Sequence, residues 1–577
     1  MTIAPRPPYV LLPPIEALTF AYFSMEIGID PAMPTYSGGL GILAADTLRA
    51  AADLGLPVAG VTLLHRKGYF RQHLDAYGNQ SETDADWSPE KFMVLLPPRA
   101  LVTIGGRMVH VQAWRYLVRG NNGHGVPVYF LDTNIPENNE WERSLTDHLY
   151  IGDDRYRLAQ QTLLGLGGVA LLRALGYSPK AYHMNEGHSS LTTLALMEEQ
   201  TWGRGLHTIT NEDREAVRRR CVFTTHTPIA AGHDRFSMDL VRELLGEERT
   251  NFLASSGCCG EGVLNMTTVA LKFSHYINGV SMRHEEISRI MFSNYPINSV
   301  TNGVHAMTWT STPFQRLFDR YIPQWRRDNL YLRYAISIPS EDIRKTHAET
   351  KQALLDEVKR RTGRELDPKV MTIGFARRTT GYKRNDLLFR DPERLKAIAR
   401  KYPFQVIYAG KAHPRDDAGK ALIRRVFDGA AVLKDSVPVI YLEEYDIGLA
   451  KYLISGVDVW LNTPQKRLEA SGTSGMKAAL NGVPSFSILD GWWIEGHIEG
   501  VTGWSIGDGW QSESDLEIEA ASLYEKLENV ILPMFYQQPD AFAGVMRSAI
   551  ALNGSYFNTQ RMLFQYLQNA YLDAANP

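Results

Sequence analysis

Lys477 stands one turn into an expected short helix, behind the small-residue turn Gly472-Thr473-Ser474-Gly475 and after the strand-like run Val457–Leu461. A turn of this kind presents backbone N–H groups and hydroxyls to a phosphate at a helix start. A lysine beside such a cradle is placed to form a Schiff base with a carbonyl cofactor. A plain helix start with a surface lysine has the same local pattern.

A second cluster, Arg377-Arg378-Thr379-Thr380-Gly381-Tyr382-Lys383-Arg384, follows the expected strand Val370–Phe375. Four cations at the C-terminal end of a strand lie where open α/β sheets bind ligands. Arginine offers phosphate a two-pronged fork and lysine a compact charge; a solvated basic loop is the alternative. The glycine turn Ser37-Gly38-Gly39-Leu40-Gly41 opens a third candidate. Gly39 to Ala44 formally fits a dinucleotide fingerprint, but the preceding strand ends well before it, and Asp46 and Asp53 fall inside the following helix rather than about 20 residues on. The turn therefore reads as a helix start that receives a phosphate, with a purely structural turn as the alternative. Asn185-Glu186-Gly187-His188, Thr225-His226-Thr227-Pro228 and Asn302-Gly303 each follow a strand-like run. Singly each is a turn; together they line one rim of a cleft with hydrogen-bonding groups suited to sugar. His284-Glu285-Glu286 lacks the second histidine of a zinc helix, and no nucleophile elbow or Walker sequence is present.

These groups need strands to carry them. Leu18–Phe23, a helix over Ile42–Leu54 closed by Gly55 and Pro57, and the strand Val58–Leu64 make a strand–helix–strand unit. Leu158–Leu175 reads as one long apolar helix, Ala181–Met184 and Val222–Thr225 as strands, and the charged stretch Glu341–Arg361 as a solvated surface element. Strands then recur at Val370–Phe375, Gln405–Ala409, Val437–Leu442, Val457–Leu461 and Ser485–Leu489, with a terminal helix over Gln560–Leu572. The expected organisation is an α/β domain over 1–333, a second over 334–545, and helices over 546–577 that pack back on the first. Their parallel sheets face a shared cleft.

Composition narrows the class. With 577 residues the chain exceeds a single core. Lys plus Arg minus Asp plus Glu is 61 − 64 = −3, which gives no basic field for nucleic acid or anionic membrane. Three cysteines, two of them the adjacent Cys258 and Cys259, make no disulfide framework. The proline-rich stretch Met1–Pro14 carries no signal pattern and no apolar run reaches bilayer length, so a cytoplasmic location is expected.

Glu469–Gly482 resembles the cofactor segment of the α-glucan (glycogen, starch and maltodextrin) phosphorylases, E-A-S-G-T-G-N-M-K-F-M-L-N-G, differing only at Ser474, Gly475, Ala478 and Ala479. Leu489-Asp490-Gly491 continues that family's L-D-G. Arg378, Tyr382, Lys383 and Arg384 match its K-R-I-H-E-Y-K-R, and Asn278-Gly279-Val280 with His284-Glu285 resembles N-G-V-A-R-I-H-S-E. Thr301-Asn302-Gly303, Gly38–Gly41 and Thr225-His226-Thr227 are similar to its T-N-G, glycine loop and N-H-T. The resemblance implies a GT-B fold of two Rossmann-like domains. It further implies a pyridoxal 5′-phosphate enzyme that releases glucose 1-phosphate from the non-reducing ends of α-1,4-glucans, with retention, using inorganic phosphate. On that resemblance Lys477 forms the Schiff base, with Thr473, Gly472, Tyr445 and Gly39 around the cofactor. Arg378 and Lys383 hold inorganic phosphate. His226, Asn302, Tyr382, Glu469, Ser471, Gly472, Gly39 and Leu40 contact the glucosyl unit.

The sequence departs from the family at Arg377 (usually Lys), Gly381 (Glu), Gly475 (Asn) and Glu186-Gly187 (Asp-Thr). The chain resembles the compact prokaryotic type, and leaves room for a homo-oligomer. A nucleotide-sugar glucosyltransferase of the glycogen synthase kind shares the layout, but Tyr36 occupies the lysine position of its K-x-G-G-L. A catalytically silent glucan-binding relative is a third reading, which the presence of Lys477, Arg378 and Lys383 disfavours.

Overall fold

The computed structural model describes residues 20–572. The stretch Met1–Pro14, the start of the first expected strand at Leu18, and the chain beyond Leu572 lie outside the described residues.

Continuous apolar runs with both faces covered form the centre of two sheets. In the first, a ten-stranded sheet, Phe20–Ser24 is buried along its whole length. It pairs in parallel with Val58–Leu63 on one side and Ala181–Asn185 on the other. Cys221–Thr224, Tyr276–Gly279 and Asn298–Ser299 extend one wing in parallel. Gly125–Asp132 extends the other and is followed by the antiparallel strand Arg107–Arg119. The second sheet has six parallel strands, in the order Val439–Leu442, Phe404–Ala409, Met371–Ala376, Val459–Asn462, Ser485–Ile488 and Gly503–Ile506.

Strand order reverses once in each sheet. In the first the reversal lies between Phe20–Ser24 and Ala181–Asn185, in the second between Met371–Ala376 and Val459–Asn462. A crevice opens beyond the carboxyl ends of the strands at such a switch point. Glu26 and Glu186 follow the two central strands of the first sheet; Arg377 and Glu469 follow those of the second.

Two expected elements differ. The apolar run Leu158–Leu175 is helical but interrupted by the π turn Leu163–Gly167 between Asp154–Thr162 and Gly168–Ala174. The charged stretch read as a solvated element is the helix Ser340–Thr362, and it buries one face through Ile343, Leu354, Leu355 and Val358. Its Lys351 donates to Asp458 Oδ2 at 2.6 Å, while His347 Nε2 lies 2.9 Å from Oδ1. Asp458 also accepts the Thr372 N–H at 2.7 Å, so a buried carboxylate ties this helix to the second sheet. Burial alone would raise the Asp458 pKa; Lys351 and His347 hold it below the ordinary value.

The chain passes from one core to the other ahead of helix Thr312–Tyr321: Val304, Trp309, Phe314, Phe318, Trp325 and Leu332 already lie in the second core. Gly303 is needed on the way, because a Cβ there would stand 2.2 Å from the Asn558 carbonyl. Near its far end the chain returns to the first sheet. Tyr571 stacks on Phe20 with ring centroids 4.2 Å apart, and its hydroxyl lies 2.5 Å from His183 Nδ1. The Tyr566 hydroxyl lies 3.1 Å from both Thr224 Oγ1 and Asn278 Nδ2. The hairpin Arg71–Leu74/Gln80–Thr83 also bridges the halves. Gln72 N–H donates to Glu444 at 2.6 Å, and the Gln72 and Gln80 side-chain amides donate to the Gly410 and Ala412 carbonyls, each at 2.8 Å. Among the described residues no helix is long and apolar enough to cross a membrane.

Removing one partner of a buried ion pair leaves the other unpaired in a dry site. Lys351→Ala is therefore expected to cost about 3–5 kcal/mol, read as a lower denaturant midpoint of unfolding.

Candidate functional site

The crevice is built at the two switch points. From the second sheet, Arg377 Nη2 donates to Glu469 Oε2 at 2.5 Å, and Lys383 Nζ donates to the same oxygen. Burial would raise the Glu469 pKa, but Lys383 and Arg377 bring it down to about 2. The carboxylate is therefore charged, yet one oxygen serves both cations. Among the described residues Arg377 Nε and Nη1 are buried without an acceptor, and buried donors in that state call for a partner. Lys383 Nζ also lies 4.4 Å from the Tyr382 ring centroid. The Glu469 N–H is held by Asp490 Oδ2 at 2.9 Å, and burial lifts the Asp490 pKa to about 7.

Arg378 is open to the crevice and faces the first sheet. Burial works against its charge, but Tyr382, Tyr69, Glu26 and Tyr150 together hold its pKa above the ordinary value. Glu26 supports the glycine loop from below. It accepts the Ser37 N–H at 2.5 Å and the Gly38 N–H at 3.3 Å, and also the Tyr150 hydroxyl at 3.2 Å. Burial raises its pKa despite these donors. Helix Gly39–Asp53 starts immediately beyond, with no side-chain cap. A Cβ at Gly38 or Gly39 would meet no atom within 4 Å, so the loop borders open space.

Lys477 lies on the short helix Ser474–Ala479 and is buried. Its Nζ sits 4.0 Å from the Trp309 ring centroid. Among the described residues it has no ion-pair partner and no side-chain hydrogen bond. Burial lowers its pKa to about 8, with Asp46 opposing and Arg49 adding to the shift. Asn481 fixes the spacing, since its Nδ2 donates to the Trp309 carbonyl at 2.8 Å and to the Lys477 carbonyl at 3.1 Å. Gly475 suits its surroundings: a Cβ would stand 2.7 Å from both Ser485 Oγ and the Trp492 ring. Trp492 thus fills the room that a larger residue at 475 would need.

The sugar-type groups lie at the end of the first sheet. His226 Nε2 is 2.7 Å from Asn185 Oδ1, and the His226 N–H donates to Glu186 Oε2 at 2.7 Å. Burial lowers the His226 pKa to about 4 against the pull of Glu186, so the ring is neutral near pH 7. Glu186 adopts φ +76°, a conformation that costs a non-glycine residue on the order of 1–3 kcal/mol. Asn302 is buried, and among the described residues its Oδ1 has no partner. Two contacts tie this rim to the other half: Ser281 Oγ donates to the Ala470 carbonyl at 2.6 Å, and Thr301 Oγ1 to Glu495 at 2.8 Å.

Direct contact thus joins Glu469, Lys383 and Tyr382, while Ser471 Oγ bonds only the Gly472 carbonyl at 3.0 Å. Tyr445 lies near Arg377, which partly offsets the upward pressure of burial on its phenol. Thr473 caps the Lys477 helix without a side-chain bond. His226, Asn302, Gly39 and Leu40 bond none of the other expected site residues. Trp309, Glu26, Tyr69 and Tyr150 carry no motif in the sequence, and Asp46 stands out there only as misplaced for a dinucleotide site. No local motif flags them, since their roles arise from contacts between distant segments.

A depressed lysine pKa means that the neutral, nucleophilic amine appears as pH rises through that value. In full-length chain treated with hydroxylamine to release any bound carbonyl compound, labelling of Lys477 by an amine reagent is expected to reach half-maximum near pH 8. Surface lysines titrate near their ordinary value of about 10.4. Mass-spectrometric quantitation of the labelled peptides across pH checks this.

Comparison with known proteins agrees with this geometry. The family model described as carbohydrate phosphorylase matches residues 200–501. The chain is 37% identical to the maltodextrin phosphorylase of Thermococcus litoralis, over 96% of this chain and 70% of that one. It is 35% identical to the glycogen phosphorylase of Aquifex aeolicus, over 95% and 85%. Against the glycogen phosphorylase of Mycobacterium tuberculosis it is 36% identical, over 96% and 71%. The two sheets, parallel at their centres and facing one crevice, are the GT-B arrangement, and the chain belongs to the carbohydrate phosphorylase family.

Proposed function

We propose that this protein is a pyridoxal-phosphate-dependent α-1,4-glucan phosphorylase. One observation carries the reading: among the described residues the buried Lys477 has no acid partner, and the basic segment of Arg377, Arg378 and Lys383 has Glu469 as its one directly bonded carboxylate. Three cations against one carboxylate favour anionic ligands there.

The residues fit the cofactor. Lys477 Nζ is a free, partly neutral amine, Arg377 has two buried donors without acceptors, and the space beside Gly38 and Gly39 is open. Lys477 would carry pyridoxal phosphate, with Thr473, Gly472, Tyr445 and Gly39 around it. When bound, that group supplies a phosphate that exchanges a proton with the substrate phosphate.

The chain's own residues do the rest. Arg378 and Lys383 hold inorganic phosphate where Glu469 already fixes the lysine. Neutral His226, with Nε2 turned to Asn185, leaves Nδ1 for a sugar hydroxyl. Asn302 Oδ1, buried and unpartnered, accepts another. Tyr382, Glu469, Ser471 and Leu40 complete the pocket for the terminal glucosyl unit. The C1–O4 bond breaks, a C1–phosphate oxygen bond forms, and the phosphate proton ends on the departing 4-hydroxyl. The bound phosphate dianion stabilises positive charge developing at C1, which supplies the anion that other glycoside-cleaving sites take from a carboxylate. All three cysteines are free thiols, which suits a cytoplasmic setting.

Purified protein is expected to release glucose 1-phosphate from maltoheptaose and inorganic phosphate, and to show the absorbance of bound pyridoxal phosphate. Lys477→Ala should lose both. Transfer only from a nucleotide sugar, with no cofactor absorbance, would sink the reading in favour of a glucosyltransferase. Glucan binding without turnover would favour a silent relative.

A further inference from the structure

Asp46 lies on helix Gly39–Asp53, the helix that begins at the glycine loop, and only 1% of its surface is exposed. Three donors converge on its carboxylate. Trp309 Nε1 donates to Oδ2 at 2.6 Å, the His305 N–H donates to Oδ2 at 3.1 Å, and Arg49 Nη1 donates to Oδ1 at 3.0 Å. The Trp309 ring is the one that Lys477 Nζ approaches to 4.0 Å. Asn481 fixes the backbones of Trp309 and Lys477 relative to each other, but it leaves the indole's rotation free. Among the described residues the bond to Asp46 is the one hydrogen bond that the indole N–H makes.

We propose that Asp46 is a positioning residue for Lys477: by holding the Trp309 indole it sets the face against which the lysine amine rests, and it couples the glycine-loop helix of the first half to the lysine of the second. Core packing confines the ring, and the bond to Asp46 is what selects its orientation there; without it the buried N–H is left unpaired and the amine's cation–π surface shifts. The charges around the lysine support the assignment. Asp46 and Arg49 face it from helix Gly39–Asp53 and act in opposite directions on its pKa. Lys451, on helix Ile447–Gly456, faces the same Arg49 and Asp46 together with Asp30. His305 is engaged by Asp53 at 2.8 Å. Asp46 is thus the carboxylate of this group that bears on the lysine amine.

The inference rests on Lys477 being the cofactor lysine, but the test separates the two. Asp46→Ala removes both the acceptor that holds the indole and the charge. In hydroxylamine-treated, full-length protein with wild-type thermal unfolding, it is expected to move the half-maximal pH of Lys477 labelling downward by about one unit. An unmoved midpoint in folded protein overturns the proposal. Trp309→Phe keeps a ring and removes the tethered N–H. It is expected to speed release of bound pyridoxal phosphate by hydroxylamine about three- to fivefold; an unchanged rate overturns the positioning role even if Asp46→Ala does not fold. Cofactor absorbance that persists in Lys477→Ala would reject Lys477 as the attachment point and leave the Asp46 labelling result standing.

Discussion

The two halves of this protein depend on one short crossover, the segment from Thr301 to Ser311. Every stage of it is gripped by a different part of the chain. Arg561 donates to the Thr301 and Asn302 carbonyls at 2.6 and 2.9 Å. Gly303 lies against Asn558, His305 reaches Asp53, and Trp309 reaches Asp46. The Ser311 N–H donates to Asn481 at 2.7 Å. A segment held this way has little freedom to let one sheet move without the other. The lysine, the glycine loop and the sugar-side asparagine are all set by it.

Charge is distributed in the crevice with similar tightness. Parallel strands end with their carboxyl ends towards one gap, and the residues that follow them are charged: Glu26 and Glu186 on one side, Arg377 and Glu469 on the other. Glu469 is ionised because two cations share it, Glu26 is pushed towards its neutral form, and Asp490 sits near the middle of its titration. The acids that would otherwise oppose an incoming phosphate are muted by pairing or by burial. Arg378 and the free nitrogens of Arg377 remain available to it.

Much of this was legible in the sequence because most candidate motifs lie downstream of a strand, several of them directly, and strand and motif are read together. Lys477, Arg378, Lys383, His226 and Asn302 are each the local product of a run and a turn. The switch points were not legible, since they depend on which strands become neighbours. Nor was Trp309, whose link to Lys477 spans distant parts of the chain. Composition misled at Ser340–Thr362: its lysines and glutamates look solvated, yet Lys351 is buried because Asp458, 107 residues away, waits for it. The departure at Gly475 reads as a defect in isolation and as a fit once Trp492 is seen against it.

The return of the chain to the first sheet bears on the order in which the protein is made. His183 finds the Tyr571 hydroxyl 388 positions later, and Thr224 finds Tyr566 after 342. During synthesis the first sheet emerges from the ribosome with His183 and Asn278 lacking these partners and Phe20 lacking its stacked ring. Unsatisfied buried groups and an uncovered aromatic face mark an incomplete core. Until the last helices are translated, the first sheet therefore lacks these contacts and holds together through its own, such as those of Thr224 with His183 and Asn278.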